Sequence, residues 1–180
     1  MNSKEKILLF SNNLWNFADG MFGPLFAIFT ERVGGNILHV TWAWATYLIV
    51  TGIFVIIIGR YSDHHSREKI MISGYALTAL FTFGYLLVET PLHLFVIQAG
   101  LGFALALANP TWFALYGKYS DKKSPGLTWG LADGGAKIFT GVAIIVGGII
   151  VTTLSFDALF IAMGTIHTLS TLYQASILRR

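Results

Sequence analysis

The chain of 180 residues contains no cysteine, which excludes disulfide bonds and thiolate metal sites. Charge is also scarce. Asp, Glu, Lys and Arg make up 12% of the residues, against about 25% in an ordinary soluble domain. Hydrophobic residues make up 54%, and the mean hydropathy is +0.65. This balance argues against a soluble globular enzyme. Histidines paired at metal-binding spacing are missing. Gly134-Gly135 lacks a G-x-G-x-x-G or Walker context, and no serine sits in a nucleophile elbow. The expectation is therefore no enzyme, no catalytic residue, no metal and no cofactor. Low-complexity stretches, long linkers and shifts in composition are absent too, which leaves a single domain over 1–180. The polar start Met1–Lys6 runs into an apolar stretch too long for a signal peptide and without a small-residue cleavage site.

What is present is a succession of long apolar runs. A membrane-spanning helix needs about 20 apolar residues, so six would use about 120 and leave short loops and tails, with no room for a soluble domain besides. The runs place spans at 7–29, 39–58, 70–88, 92–116, 127–152 and 156–178. No period-2 barrel pattern competes with them, and in lipid only helices then satisfy the backbone. The expected fold class is an all-α membrane protein of six transmembrane helices.

The net charge of +3 and the pI of 9.2 fit basic loops facing an anionic membrane surface better than nucleic acid, which is not an expected partner. Ten of the twelve Lys and Arg residues fall in the N-terminal tail, the second and fourth loops and the C-terminal tail: Lys4, Lys6, Arg60, Arg67, Lys69, Lys118, Lys122, Lys123, Arg179 and Arg180. Arg32 lies on the opposite side and Lys137 inside a span. The positive-inside rule then predicts a multi-pass protein of the cell (plasma or inner) membrane with both termini cytoplasmic. The same bias argues against dual insertion. Trp42, Trp44, Trp112 and Trp129 fall near span ends and suit either interfacial belts or core packing.

The second loop reads Gly59-Arg60-Tyr61-Ser62-Asp63-His64-His65-Ser66-Arg67-Glu68-Lys69. Glycine at a span end allows close helix approach, and Asp63 faces a cluster of cations. This loop resembles the G-x-x-x-D-(R/K)-x-G-(R/K)-(R/K) signature between spans 2 and 3 of the major facilitator superfamily. Gly59, Asp63 and Arg67 match; His64, Ser66 and Glu68 depart. Gln98-Ala99-Gly100-Leu101-Gly102, Ala108-Asn109-Pro110 and the basic loop from Lys118 to Lys123 are similar to that family's fourth span and the loop after it, with Phe95 where many members carry Arg. Gly141, Gly147 and Gly148 are similar to its glycine-rich fifth span. The resemblance covers nearly the whole chain but one half of the usual twelve-span architecture. An internal echo, Gly59 to Ser66 against Gly117 to Ser124, has five identities in eight positions. Two basic loops that drifted alike, or two similar latches, both account for it.

Polar groups inside spans are costly and mark substrate or ion paths. Asn12, Asn16 and Asp19, at i, i+4 and i+7, share one face of span 1, ahead of Gly23-Pro24, where a kink is expected. Asp19 is either a proton carrier or a buried packing residue. Asp133 and Lys137, at i, i+4 in span 5, form either a structural ion pair or one that a substrate or proton breaks. Gln98, Gly102 and Asn109 mark one face of span 4, suited to transport or to interhelical hydrogen bonds. His167 and Gln174 in span 6 fit packing better than proton relay. The small residues of span 5 read as a helix interface.

The resemblance implies one half of a major-facilitator-type bundle built of 3+3 inverted repeats, with spans 1 and 4 lining a central cavity between two halves. One half alone would expose Asn16, Asp19 and Asn109 to lipid. The expected partners are therefore the lipid bilayer, a small-molecule or ion substrate, and a second copy in a parallel homodimer, with a different six-helix half as the competing solution. In that dimer Asp63, with Gly59 and Arg67, would form a conformational latch against Gly126 and Leu127 at the start of the partner's span 5. The implied function is alternating-access transport of a small polar solute; proton coupling through Asp19, with Asp133 as a second candidate, is a further expectation from the residues. The alternatives are a non-transporting scaffold or receptor-like subunit, and an oligomeric channel.

Overall fold

The computed structural model describes residues 2–179, so Arg180 of the predicted basic tail lies outside the described residues. The described residues are mostly helical: α1 (Ser3–Gly20), α2 (Phe26–Arg32), α3 (Ile37–Ser62), α4 (Arg67–Gly84), α5 (Pro91–Tyr119), α6 (Pro125–Thr153) and α7 (Phe156–Ala175). Short 3₁₀ turns occupy Gly23–Leu25, Tyr85–Leu87 and Ser176–Arg179.

Local chemistry sets the boundaries. Asn2 closes a capping box on α1: its side-chain oxygen accepts the Glu5 N–H at 2.7 Å, and Glu5 returns an acceptor to the Asn2 N–H at 3.2 Å. Asn36 caps α3 in the same reciprocal way, with His39 in place of the acid. Ser66 and Ser155 cap α4 and α7. Pro91 and Pro125 open α5 and α6 at the position where a missing N–H costs nothing. Gly34, at φ +83°, makes the turn between α2 and α3 that a side chain would strain.

Packing follows the rule of membrane bundles, in which small residues bring backbones together because lipid offers no hydrophobic drive between helices. A Cβ on Gly74 of α4 would lie 2.7 Å from the Ala104 carbonyl oxygen of α5, and one on Gly102 of α5 would lie 2.6 Å from the Tyr47 carbonyl oxygen of α3. A Cβ on Gly147 of α6 would overlap the Met21 carbonyl oxygen. α1 packs chiefly on α6 and α7 and only touches α5; α5 packs on α3 and α4; α4 also meets α7. Two apolar clusters fill the bundle. At the end carrying the termini and most Lys and Arg residues, here the basic end, Leu8, Met71, Tyr75, Trp112 and Tyr116 pack together. Toward the far end Phe22, Phe29, Tyr85, Phe156 and Phe160 interlock, with Phe29 and Tyr85 each 4.9 Å from Phe160 between ring centres.

The structure changes the expected spans in two ways. Span 1 is not a continuous helix: the chain breaks at Met21–Leu25, where Gly23 and Pro24 sit, and resumes as α2. Four helices, α3, α4 with its 3₁₀ extension, α5 and α6, are long and apolar enough to cross a membrane. α1 falls below that mark because it carries Lys4, Glu5, Lys6 and Asp19 beside Asn12, Asn13 and Asn16, and α7 because it buries His167, Ser170 and Gln174. These two helices use polar residues to join each other: Ser11 Oγ donates to the Gln174 side-chain oxygen, and Ser170 Oγ donates to the Ser11 carbonyl at 2.8 Å.

Candidate functional site

One side of the bundle is hollowed by two recesses, and Trp15 of α1 lines both. The recess nearer the far end, about 520 Å³ with its open mouth, holds Asp19 and Gln98 among the rings of Phe22, Phe26, Trp44, Tyr47 and Tyr85. The recess nearer the basic end, about 580 Å³ with its mouth, is lined by Asn12, Asn16, Asn109, Trp112, Trp129 and Asp133. The Trp15 ring stands 6.5 Å from that of Tyr75 and 5.8 Å from that of His167, so it is braced from behind by α4 and α7.

The elements explain these positions. Asp19 is the penultimate residue of α1, one residue before Gly20 closes on Thr140 of α6, where a Cβ would lie 3.0 Å from the Thr140 backbone. Its side chain is exposed to the recess and accepts no hydrogen bond among the described residues. Gln98 is 3% exposed, lines the same recess and is likewise without a hydrogen-bond partner among the described residues. In the other recess Asn16 Nδ2 donates to the Asn12 carbonyl at 2.8 Å, and Thr140 Oγ1 donates to the Asn16 carbonyl at 3.4 Å.

The residues singled out in the sequence do not all meet. Asn12, Asn16 and Asp19 do face the hollow side together: Asp19 lines one recess, Asn12 and Asn16 the other, and Trp15 lines both. The stripe expected on span 4 is split more sharply: Gln98 lies in one recess, Asn109 in the other, and Gly102 is covered by the α3 backbone and lines neither. Asp133 and Lys137 form the expected ion pair; both side chains remain 72% exposed, and only Asp133 lines a recess. Gln174 is buried, accepting from Ser11 and donating to Met71 Sδ at 3.5 Å. His167 is buried with Nδ1 unpartnered. Neither borders the recesses.

At the basic end Asp63 ends α3 and accepts from Arg67 at 2.7 Å. Gly59 has open space where a Cβ would stand, so no neighbour in this chain uses the close approach it permits. Glu68, a departure from the signature, accepts from the Tyr119 hydroxyl at 3.2 Å and the Ser66 hydroxyl at 3.3 Å. Lys118 joins Asp63, Arg67 and Glu68 around one shallow pocket, so the two loops of the internal echo lie side by side.

Trp15, Tyr47 and Tyr85 line the recess and escaped sequence reasoning. Trp15 was in principle legible, since it lies at i+3 from Asn12 and i+4 before Asp19. Trp44, which by sequence suits a belt or the core, lines the recess while 48% exposed. Trp112 is core, 5% exposed, with Nε1 donating to the Leu8 carbonyl at 3.2 Å.

A search of curated proteins found no match. The model of the Major Facilitator Superfamily matches residues 8–180, nearly the whole chain and both recesses. A helical bundle with membrane-length apolar helices, hollowed on one side by polar recesses and matched over that length, belongs to the Major Facilitator Superfamily and is a multi-pass membrane transporter.

Proposed function

We propose that the chain is one six-helix half of a carrier that moves a small polar solute by alternating access. The observation that carries this reading is the pair of polar recesses on one side of the bundle, with Trp15 between them. Asn12, Asn16, Asp19, Gln98, Asn109, Asp133 and Lys137 form the solute and proton pathway, and Asp19 exchanges the proton. The pattern of helix contacts supports a 3+3 inverted repeat: α1 lies against α6 as α5 lies against α3, and against α7 as α5 lies against α4. The lysine and arginine distribution supports insertion in the cell membrane with the basic end cytoplasmic.

A second bundle must cover the hollow side, because polar side chains facing hydrocarbon are costly. A second copy in parallel orientation is the simplest cover. Gly59 and the exposed side chain of Asp63 then meet the start of the partner's α6 near Gly126 and Leu127, a contact that latches the cytoplasmic side. Proteoliposomes incubated with a mixture of small polar solutes, followed by mass spectrometry of their contents, test the reading. Saturable accumulation above empty liposomes, driven by a pH gradient and lost in Asp19→Asn, is expected. Accumulation that ignores the gradient and survives Asp19→Asn overturns proton coupling, and no accumulation overturns the carrier.

A further inference from the structure

The recess around Asp19 has an unusual wall. Of the residues that line it, Asp19 alone is charged. Around the carboxylate stands a connected set of rings: Phe22 lies 5.0 Å from Tyr85 and 5.7 Å from Phe26, Phe26 lies 6.1 Å from Trp44, and Trp44 lies 5.6 Å from Tyr47. Phe22, Phe26 and Tyr85 are almost wholly buried, so their positions are set by packing. Ring faces carry negative potential and attract cations, most of all those that shed water easily. α1 also ends here: Asp19 lies in its last turn, where the helix dipole presents its negative end.

Each class of solute meets a different response from this wall. Anions find Asp19, a helix C-terminus and ring faces, and no Lys, Arg or His lines the recess to hold them. A hard metal ion wants about six or more oxygen ligands. Here Asp19 is the one carboxylate, with the neutral side chains of Tyr47, Thr78, Tyr85 and Gln98 beside it, and among the described residues no cluster of three His, Asp or Glu side chains is placed to hold a metal. A neutral solute brings no charge to set against Asp19 and so gains nothing from the carboxylate in its ionised form. An organic ammonium ion satisfies all the groups at once: its charge faces Asp19, its alkyl groups face the rings, and a polar arm on it can reach the unpartnered Gln98.

We propose that the Asp19 recess is a binding site for a small organic cation, a quaternary or protonated amine held by the carboxylate within an aromatic box. The inference rests on the carrier reading above, since it names that carrier's substrate class, but binding at the site can be measured apart from transport. The probes are choline, tetramethylammonium and 3,3-dimethyl-1-butanol, the uncharged carbon isostere of choline. They are titrated onto the full chain in nanodiscs, with tryptophan fluorescence and calorimetry as readouts.

Saturable binding of choline or tetramethylammonium is expected, with the neutral isostere at least tenfold weaker. Asp19→Asn should weaken the cation at least tenfold, Asp19→Glu much less. Trp44→Leu should weaken the cation several-fold while leaving the isostere unchanged. Each variant is compared at an unchanged melting temperature and helix content. Equal binding of cation and isostere, cation binding indifferent to Asp19→Asn, or no cation binding by the folded wild type overturns the proposal. A parallel uptake assay separates the two readings. Cation binding without uptake overturns the carrier and leaves the site standing. Uptake only of neutral or anionic solutes, indifferent to Asp19, overturns the cation site and leaves the carrier standing.

Discussion

Gly147 has no room for even one methyl group, because a Cβ there would overlap the Met21 carbonyl oxygen at the point where α1 gives way to the broken segment. Gly148, the next residue, has nothing within 4 Å of that position. The pair therefore makes a sharp contrast. Gly147→Ala should destabilise the bundle by about 1–3 kcal/mol through overpacking, whereas Gly148→Ala should leave the melting temperature in detergent unchanged or raise it. Equal effects would break the argument. Gln174 offers a second residue-scale test. Replacing it with Leu removes the acceptor for Ser11, whose hydroxyl also bonds the Ile7 carbonyl at 2.6 Å. The loss should stay within the range for interhelical hydrogen bonds in membranes, about 0.6 and at most about 1.7 kcal/mol, by reversible unfolding. The sequence marked both positions as small or polar residues in apolar spans. It could not say that Gly147 packs and Gly148 does not, because helical spacing tells which residues share a face and not what stands opposite that face.

Among the elements, the first span and the fifth helix carry the most consequence. The interruption at Met21–Leu25 was foreshadowed by Gly23-Pro24, and it brings Phe22 and Phe26 to the same recess as Asp19. α5 runs unbroken through Pro110 and is gripped by α3 at Gly102 and by α4 at Gly74. Gly102→Leu should force α3 away from α5 and displace Trp44 and Tyr47. The expected outcome is a lower melting temperature with helix content retained, measured by circular dichroism. A variant with unchanged stability would mean that α3 is not held at this point. Sequence reasoning placed the polar residues of α5 on one stripe. Packing assigns Gln98 and Asn109 to separate recesses and gives Gly102 to α3, since a helix this long meets different neighbours along its length.

For the whole molecule, topology and assembly are open to direct measurement because the chain has no cysteine of its own. Glu89 is exposed in the far-end loop and Lys122 in a basic-end loop. In intact cells an impermeant maleimide should label Glu89→Cys, and should label Lys122→Cys only after permeabilisation; the reverse order would invert the proposed orientation. Assembly is tested by pairing Asp63→Cys in one copy with Gly126→Cys in another. A disulfide-linked dimer that reduction dissolves is expected if a second copy covers the hollow side. Monomer alone, in lipid and under oxidant, would point to a different covering half.

The sequence by itself determined that the chain is helical and membrane-spanning, which of its ends is basic, where Asp19 stands among apolar residues, and that the second loop carries a superfamily signature. Each of these follows from composition or from spacing along one helix, and such information is local. Tertiary structure alone decided that Trp15 lines both recesses of the polar face, that Trp44, Tyr47 and Tyr85 gather around Asp19 from α3 and the 3₁₀ turn after α4, and that Tyr119 and Glu68 tie the two basic loops together. These are contacts between residues distant in sequence. They depend on which helices approach and how closely, and in this bundle that is set by the backbone contacts at Gly74, Gly102 and Gly147.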